Sequence, residues 1–377
     1  MNVLIVSGIW PPDVGGPASH APEVAGFLRG RGHAVAVVTT AERAPAPAPY
    51  RVHWVSRALP VGVRHAAAAG LVARLARRAD VVYTTGMFGR SALGASLART
   101  PFVVKLTADP AFERSRNRGL VGGNVDDFQA GGGGPAATVL RRVRDTGLRR
   151  AAHVFCPSAY LRELTISWGV PAERVTVLPN PAPPVPELAP RDELRASLAF
   201  DGPTLAFAGR LTAQKSLELA LRAVAAVEGV SLVVAGEGPE LERLERARDD
   251  LALGGRVRFL GAQPRERVLE LFHAADASIL SSSWENFPHA VVEALAVGTP
   301  VISTDTGGVA EVLRDGINGL LVPSGDVDAL AAAIRRYVGD PELQARLRAA
   351  AASSVEAYSA ERIYGGLEQV LERASLR

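Results

Sequence analysis

Short apolar, β-branched runs alternate with amphipathic stretches along the first half of the chain. The runs predict strands at residues 3–7, 34–39, 81–84, 102–106, 153–156 and 175–178. Helices are predicted between them at 21–31, 64–78, 90–99 and 161–168. Strands that alternate with helices are typical of a parallel sheet with right-handed crossovers. The first half is therefore predicted to be a doubly wound α/β domain.

The second half repeats this pattern. Its predicted strands are residues 204–208, 231–235, 257–260, 277–280, 301–303 and 319–322. Helices are predicted at 216–227, 241–251 and 288–297. The fold class expected for the whole chain is thus α/β, with two Rossmann-like domains. A ligand shared by two such domains is expected at the carboxyl ends of the strands.

Prolines mark the boundary between the two halves. They occupy positions 179, 181, 183, 184, 186 and 190, where they stiffen the connection and remove backbone donors. We predict a first domain at 1–180, a linker at 181–200, a second domain at 201–355 and a terminal helical segment at 356–377. The glycine-rich stretch 114–135 lacks a core pattern, and we predict a mobile loop there, either a lid or a disordered segment.

Composition narrows the class of protein. The 377 residues are 47% hydrophobic, enough for two cores, and the single Cys156 excludes an intramolecular disulfide. No run approaches the roughly 20 apolar residues of a spanning helix, and no secretory signal is visible, so we expect a cytoplasmic protein. Nothing resembles a nucleic-acid recognition module, and nucleic acid is not an expected partner.

Charge is divided unevenly between the halves. Residues 1–180 contain 22 Lys and Arg against 11 Asp and Glu, whereas residues 181–377 contain 20 against 28. A basic first half could attract a phospholipid surface, as in peripheral contact with the inner membrane face, or an acidic acceptor. The alternative, that arginine is simply the default solvated residue of this chain, is equally open.

Two cations follow the first strand of the second half. They are Arg210 and Lys215, and Lys215 is one of only two lysines in a chain with 40 arginines. A compact ammonium suits point-charge binding of phosphate, a chemistry in which lysine and arginine differ. Two ordinary surface cations are the alternative.

Two carboxylates bracket a predicted helix start nearby. Glu285 precedes Asn286, Phe287 and Pro288, and Glu293 lies inside the helix. Proline favours the first helical turn, so the amides of His289, Ala290 and Val291 are expected at a positive helix end. Cations for a diphosphate and acids for sugar hydroxyls together suit a nucleotide sugar. A plain helix-face position remains an alternative for Glu293.

Three glycine-bearing turns also follow strands. Gly15 and Gly16 could let the backbone approach a diphosphate, with His20 just beyond them as a capping or phosphate-contacting residue. Gly236 and Glu237, and then Gly261, are expected to face a nucleotide. An ordinary tight turn is the competing interpretation for Gly15 with Gly16 and for Gly236 with Glu237, and a solvent-facing side chain is the alternative for His20.

Four of these segments, in this order, resemble glycosyltransferase family 4. They are Trp10 to Gly16, Gly209-Arg210-Leu211 with Lys215, Gly236-Glu237-Gly238-Pro239, and Glu285 with Glu293. The resemblance covers about residues 1–355. It implies a retaining glycosyltransferase of the GT-B type, with two Rossmann-like domains facing across a cleft and a last helix that returns to the first domain.

The resemblance also implies roles and partners. Glu293 would bind the ribose and Glu285 the transferred hexose, with Arg210 and Lys215 on the diphosphate of the donor. Asp109, after the strand 102–106, would belong to the sugar pocket, although a helix N-cap is its competing role. No cofactor and no metal are expected, and the acceptor would be a hydroxyl of a glycan, a lipid-linked intermediate or a small molecule. Another GT-B enzyme, such as an epimerase or phosphorylase, and a non-catalytic scaffold are the alternatives.

Overall fold

The computed structural model describes residues 1–13, 16–121 and 125–376, which divide into two compact units. The first unit contains residues 1–179 and 361–377, and the second contains residues 180–360. Both are α/β structures, so the predicted fold class of two Rossmann-like domains with parallel sheets is confirmed.

The first unit is built on a parallel sheet of seven strands in the order β3-β2-β1-β4-β5-β6-β7. The strands are β1 (Asn2–Val6), β2 (Ala34–Ala41), β3 (Arg51–Ser56), β4 (Val81–Thr84), β5 (Phe102–Lys105), β6 (His153–Cys156) and β7 (Val175–Val177). The helices are α1 (Gly16–Gly30), α2 (Val61–Ala76), α3 (Phe88–Ala98), α4 (Pro110–Asn117), α5 (Val125–Gln129), α6 (Gly134–Arg149) and α7 (Ala159–Ser167). The edge strand β3 is not among the predicted strands, because only Val55 of its six residues is buried.

The prediction of a loop without core character at 114–135 is wrong for the described part of that stretch. The end of α4, the whole of α5 and the start of α6 lie in it, and Val125 and Phe128 are buried. Phe128 packs against Phe112 of α4, with ring centroids 5.5 Å apart. Two aromatic rings far apart in a polar, glycine-rich sequence thus make a small core that no periodic pattern reveals.

The second unit has a parallel sheet of six strands in the order β10-β9-β8-β11-β12-β13. The strands are β8 (Thr204–Ala208), β9 (Ser231–Ala235), β10 (Val257–Phe259), β11 (Ala277–Leu280), β12 (Val301–Asp305) and β13 (Gly319–Pro323). The helices are α8 (Arg191–Ser197), α9 (Leu217–Ala225), α10 (Leu241–Asp250), α11 (Arg265–Ala274), α12 (His289–Ala296), α13 (Val327–Gly339) and α14 (Pro341–Ala351).

The stretch predicted as a linker at 181–200 contains the helix α8, which packs into the second unit. Leu194 and Phe200 join a buried cluster with Val233 and Leu271. Arg195 forms an ion pair of 3.1 Å with Asp276. Only the residues before α8 therefore have the extended character that the prolines predict.

The terminal helix α15 (Ala360–Ser375) packs into the core of the first unit. Leu367 and Leu371 lie in one buried cluster with Ile5 and Phe155, and the Tyr364 hydroxyl donates to Glu23 at 2.6 Å. Its apolar face covers one side of the first sheet, which explains why the chain returns to that unit.

The strand order of the second unit reverses at β8 and β11, which pair directly. Loops that leave the carboxyl ends of neighbouring strands at such a switch point diverge and leave room for a ligand. The two chemically distinctive segments of the sequence, 209–215 and 281–293, follow these two strands. The topology therefore brings them together at one edge of the sheet.

Candidate functional site

The centre of the candidate site is an ion pair between the loops that follow β8 and β11. The Lys215 Nζ lies 2.5 Å from the Glu285 Oε1, and the Ser282 hydroxyl donates to the same oxygen at 2.7 Å. The side chain of Glu285 is 7% exposed and that of Lys215 is 19% exposed. The sequence did not predict a contact between Lys215 and Glu285, and it did not single out Ser282.

The loop after β12 fixes the backbone of Glu285. The Gly308 amide donates to the Glu285 carbonyl at 3.0 Å, and the Thr306 hydroxyl donates to the Ser283 carbonyl at 3.0 Å. A Cβ on Gly307, whose φ is +55°, would lie 1.8 Å from the Glu285 carbonyl oxygen. Only glycine allows this approach. Gly307 was missed because a single glycine after a strand carries no motif.

Gly236 and Glu237 lie in the loop after β9, which packs closely on the loop after β8. A Cβ on Gly236 would lie 1.9 Å from the Gly209 carbonyl oxygen, and Gly236 itself donates to the Gly261 carbonyl at 2.8 Å. The Leu211 amide donates to the Glu237 carbonyl at 2.8 Å. The Gly209 amide donates to the Ala235 carbonyl at 3.0 Å, so backbone bonds hold the chain on both sides of Arg210 in place.

Glu237 and Gly261 are linked by the same network. The Glu237 Oε1 accepts a hydrogen bond from the Ala262 amide at 3.2 Å. Gly261 has a φ of +69°, a left-handed conformation that favours glycine. Gly236, Glu237 and Gly261 thus join the loops after β8, β9 and β10, and the contact of these three residues with a nucleotide stays a prediction.

Arg210 is exposed and has no ion pair or hydrogen bond to any described side chain. It leaves the end of β8 between the two backbone contacts just described. A cation that the fold holds by its backbone and leaves unneutralised is available to an anionic ligand.

The helix start at α12 differs in part from the prediction. Pro288 is its N-cap, and the helix begins at His289. The His289 amide donates to the Phe287 carbonyl at 3.1 Å, and the Val291 amide donates to the Pro288 carbonyl at 3.0 Å. Two of the three amides expected to be free are therefore occupied, because the preceding turn is tight. Within the described residues, the Ala290 amide makes no backbone hydrogen bond.

The residues before α12 form an aromatic contact. Phe287 is buried, with its ring edge-on to His289 at 5.3 Å and to Tyr358 at 6.0 Å between centroids. His289 Nε2 lies 3.1 Å from the Asn180 Nδ2. Phe287 thus anchors the turn that carries Glu285 and serves packing.

Glu293 lies on α12, where its Oε1 is 3.4 Å from the Arg265 guanidinium of α11. Its side chain is 19% exposed. Burial raises the pKa of this carboxyl, and the Arg265 charge partly opposes that rise. A partly desolvated carboxyl of this kind is suited to accept or donate a hydrogen bond to a ligand hydroxyl.

Gly16 and His20 of the first unit belong to the helix α1. Gly16 is the first residue of α1 and is exposed, while Gly15 lies outside the described residues. His20 is half-buried, with its Nε2 2.8 Å from the Tyr83 hydroxyl. His20 therefore packs partly inside the unit, and its predicted contact with a phosphate stays a prediction.

Asp109 takes the competing role that the sequence left open. It is the N-cap of α4, and its Oδ1 accepts from the Ala111 amide at 2.8 Å. Its Oδ2 accepts from the Arg144 guanidinium at 2.6 Å and from the Gln129 amide at 2.9 Å. The side chain is 0% exposed. Three protein donors occupy this enclosed carboxylate, which favours the N-cap role, and the predicted role of Asp109 in the sugar pocket stays a prediction.

Acidic side chains outside this network could in principle bind a metal ion. Asp326-Val327-Asp328 has an Asp-X-Asp spacing, which the sequence analysis overlooked. Asp326 is the N-cap of α13 and accepts from the Ala329 amide at 2.8 Å. In the described part of the chain, one group of side chains has the spacing of metal ligands, namely His33, Glu368 and Glu372 of the first unit.

The arrangement defines a class of protein. Two doubly wound sheets, with cations and carboxylates at the switch point of the second, are typical of enzymes that act on nucleotide-linked substrates. Anabaena Alr3699/HepE, solved in complex with UDP, matches the fold with a TM-score of 0.81 and 21% identity, over 99% of this chain and 100% of that one. The fold is therefore that of the GT-B glycosyltransferases.

Two family models match the sequence itself. The glycosyl transferases group 1 model matches residues 190–354, and the glycosyl transferase 4-like domain model matches residues 15–181. The chain therefore belongs to the group 1 glycosyltransferases of family 4, which confirms the resemblance.

Curated relatives agree with this assignment. The lipopolysaccharide core biosynthesis glycosyltransferase LpsE of Rhizobium meliloti is 37% identical over 156 residues, which are 41% of this chain and 45% of LpsE. The glycogen synthase of Mycobacterium tuberculosis is 29% identical over 93% of this chain and 89% of its own length. The alignment with LpsE thus spans less than half of that protein. Among the described residues, no helix combines the length and apolar content needed to cross a bilayer.

Proposed function

We propose that the protein transfers a hexose from a nucleoside-diphosphate sugar to an acceptor hydroxyl, with retention of the anomeric configuration and without a metal. In this proposal Arg210 and Lys215 bind the diphosphate. Glu293 binds the ribose hydroxyls, and Glu285 binds the transferred sugar. The observation that carries the proposal is the Lys215–Glu285 pair at the switch point of the second sheet, beside the unneutralised Arg210.

Charge at this site suits a departing diphosphate. As the bond between the sugar carbon C1 and the diphosphate oxygen breaks, negative charge accumulates on that oxygen. Two preorganised cations stabilise such charge in a partly water-excluded site, the task that a metal ion performs in other transferases. Lys215 can reach the phosphate because its ammonium is on a flexible stem and its side chain is 19% exposed, whereas Ser282 continues to hold Glu285.

Retention follows from attack on the face that the leaving group occupies. The acceptor oxygen forms its bond to C1 as the diphosphate leaves, and the acceptor proton passes to a diphosphate oxygen. No enzymic nucleophile is needed in this scheme. Glu285 accepts hydrogen bonds from sugar hydroxyls and positions C1, which is a contribution of orientation.

The acceptor is proposed to be a hydroxyl of a glycan, a lipid-linked intermediate or a small molecule. Relatives are named for lipopolysaccharide core biosynthesis, inositol phosphate glycosylation and glycogen synthesis, and a hydroxyl acceptor would be common to these reactions. The surplus of arginine in residues 1–180 supports peripheral contact with an anionic membrane face on the cytoplasmic side.

The test is donor binding without metal. Thermal shift with UDP-, GDP-, ADP- and dTDP-sugars in the presence of EDTA is expected to give a rise in Tm with one base and a smaller rise with the others. Lys215→Ala should abolish the rise, whereas Arg246→Gln, which alters an exposed cation on α10, should leave it unchanged. A rise that depends on added Mg²⁺ would overturn the metal-free proposal, and no rise with any donor would overturn the donor site.

The stereochemical part needs a separate measurement. Once a donor and an acceptor are found, the anomeric proton coupling of the first product by NMR reports the configuration. An α-linked donor sugar should give an α-linked product, and inversion would contradict the front-face scheme.

A further inference from the structure

An exposed apolar surface lies on the helices α3 and α6 of the first unit. Leu93 and Leu97 of α3 and Val139 and Val143 of α6 are each between 51% and 61% exposed. The two members of each pair are four residues apart, so they lie on the same face of their helix. Single exposed apolar residues are ordinary on a soluble protein, whereas four of them on two neighbouring helices form a patch.

The two pairs border one groove. The helices α3 and α6 are in contact, and the groove between them is lined by Gly89 of α3 and Val143 of α6. Gly89 lies four residues before Leu93, in the same row as Leu97, and Val139 lies one turn before Val143. The apolar side chains of both helices therefore belong to one surface. We call it the α3–α6 face, and it consists of Leu93, Leu97, Val139 and Val143.

The charge of these two helices is almost entirely positive. With their C-cap residues they contain two arginines in 88–99 and five in 134–150, and their single acid is Asp145. Three of the arginines hydrogen-bond to groups inside the unit, namely Arg141, Arg144 and Arg149. The other four form no ion pair and no side-chain hydrogen bond within the described residues, and they are Arg90, Arg99, Arg142 and Arg150.

Helical spacing places three of these unpaired arginines beside the apolar residues. Arg90 precedes Leu93 by three residues. Arg142 follows Val139 by three residues, and Arg150, the C-cap of α6, follows it by eleven. Steps of three and eleven residues return to nearly the same side of a helix. Apolar side chains with cations beside them are complementary to an anionic bilayer, where the acyl region takes the first and the headgroup phosphates take the second.

We propose that the α3–α6 face binds an anionic phospholipid bilayer, with its four apolar side chains below the headgroups and Arg142 and Arg150 at the phosphates. The inference refines the membrane contact of the proposed function, which rests only on the arginine surplus of residues 1–180, by naming the surface that makes it. The binding itself requires neither donor nor acceptor.

A bilayer fits this surface better than a second copy of the chain does. The acid of the two helices, Asp145, is paired with Arg144, so the unpaired charges beside the face are all positive. Two copies placed face to face would bring these like charges together, which opposes association. An anionic lipid surface instead neutralises them.

Co-sedimentation of the full chain with lipid vesicles tests the proposal. Vesicles of equal parts phosphatidylglycerol and phosphatidylcholine are compared with vesicles of phosphatidylcholine alone. The partition coefficient is expected to be at least about tenfold higher on the anionic vesicles, because several cations near the surface each contribute. It should fall as NaCl is added, since salt screens these charges.

The apolar part is tested by Leu93→Ser with Leu97→Ser. This double variant should lower the partition coefficient on anionic vesicles by about tenfold or more, because it removes apolar area that the bilayer would cover. Ile317→Ser is the matched control, since Ile317 is 52% exposed but lies in the second unit, and it should bind as the wild type does.

The charged part is tested by Arg142→Gln with Arg150→Gln. Binding to anionic vesicles should weaken by about tenfold or more, whereas the weak binding to phosphatidylcholine should not change. Arg336→Gln with Arg346→Gln changes the net charge equally at exposed positions of α13 and α14 in the second unit. This control should keep the binding of the wild type, which separates the face from net charge.

Unchanged vesicle binding in both double variants would overturn the proposal, as would equal binding of the wild type to the two kinds of vesicle. A dimer in sedimentation velocity that is lost in the leucine variant would assign the face to a second copy and also overturn it. If the leucine variant has a lowered Tm, Val139→Ser with Val143→Ser provides the same test. The donor thermal shift is measured on every variant. A preserved donor shift with lost vesicle binding supports the face, and a missing donor shift in the wild type would count against the proposed transferase alone.

Discussion

The Lys215 ammonium and the Glu285 carboxylate form an ion pair of 2.5 Å across the switch point between β8 and β11. Seventy residues separate them in the sequence, and the Ser282 hydroxyl is the second donor to the same carboxylate oxygen. The pair joins a group expected to bind phosphate to one expected to bind sugar. It keeps both side chains oriented before any ligand arrives, which lowers the ordering cost of binding.

Lys215→Ala is expected to lower kcat/KM for transfer by about 10²–10³, the usual cost of removing one preorganised charge from a leaving group. Lys215→Arg should also lose activity, although it keeps the charge, because a planar fork does not fit the space of an ammonium. The measurement is initial rate against donor concentration. Arg246→Gln serves as the control, and full activity in Lys215→Arg would show that only charge matters here.

Gly307→Ala is expected to destabilise the second unit and to displace Glu285. The new Cβ would overlap the Glu285 carbonyl oxygen, and the left-handed backbone adds its own cost, for a total of about 2–4 kcal/mol. Gly316→Ala is the matched control, since it has a φ of +68° but no heavy atom within 4 Å of the Cβ. It should lose only about 1–2 kcal/mol. If urea unfolding shows the same loss of unfolding free energy in both variants, the overlap with the Glu285 carbonyl contributes nothing.

Asp109→Ala should lower the free energy of unfolding by about 1–3 kcal/mol, because it removes one of the two carboxylates, Asp109 and Asp145, that pair with the buried Arg144 guanidinium. The double variant Asp109→Ala/Arg144→Met should recover a large part of that loss, since neither charge remains. Chemical denaturation of the wild type, the two single variants and the double variant gives the coupling free energy between Asp109 and Arg144. A stable Asp109→Ala protein that lacks only activity would assign Asp109 to the sugar pocket.

The burial of Lys105 predicts that the free energy of unfolding depends on pH. Burial lowers its pKa to about 7, and its Nζ donates to the Leu178 carbonyl. Between about pH 7 and 10 the unfolded chain keeps the proton that the folded protein has lost, so stability rises with pH by about 1.4 kcal/mol per unit. Below pH 7 both states are protonated and this contribution is constant.

Lys105→Met removes that titration. The difference in unfolding free energy between wild type and variant should move in favour of the wild type as the pH rises from 7 to 10. Urea unfolding at several pH values measures it. A difference that stays constant over this range would mean that Lys105 is charged in the folded protein.

Much of the fold could be predicted from periodicity. Strands such as Val81–Thr84, His153–Cys156 and Ala277–Leu280 are buried on both faces, so continuous apolar runs identify them. The edge strand Arg51–Ser56 escaped prediction because its outer face is exposed. The helices of 110–129 escaped because their core is a pair of phenylalanines in a polar sequence.

For the candidate site, the sequence by itself determined the kinds of group and their order. Lys215, Glu285 and Glu293 follow strands of a parallel sheet, and that rule alone predicts one shared edge. Only the tertiary structure decided which of them touch, that Gly307 packs on the Glu285 carbonyl, and that Asp109 is enclosed by Arg144. The physical reason is the separation of these residues along the chain. The periodicity of apolar residues reports only local burial. These contacts join residues 22 to 70 positions apart, and they form through the packing of loops that have no periodic pattern.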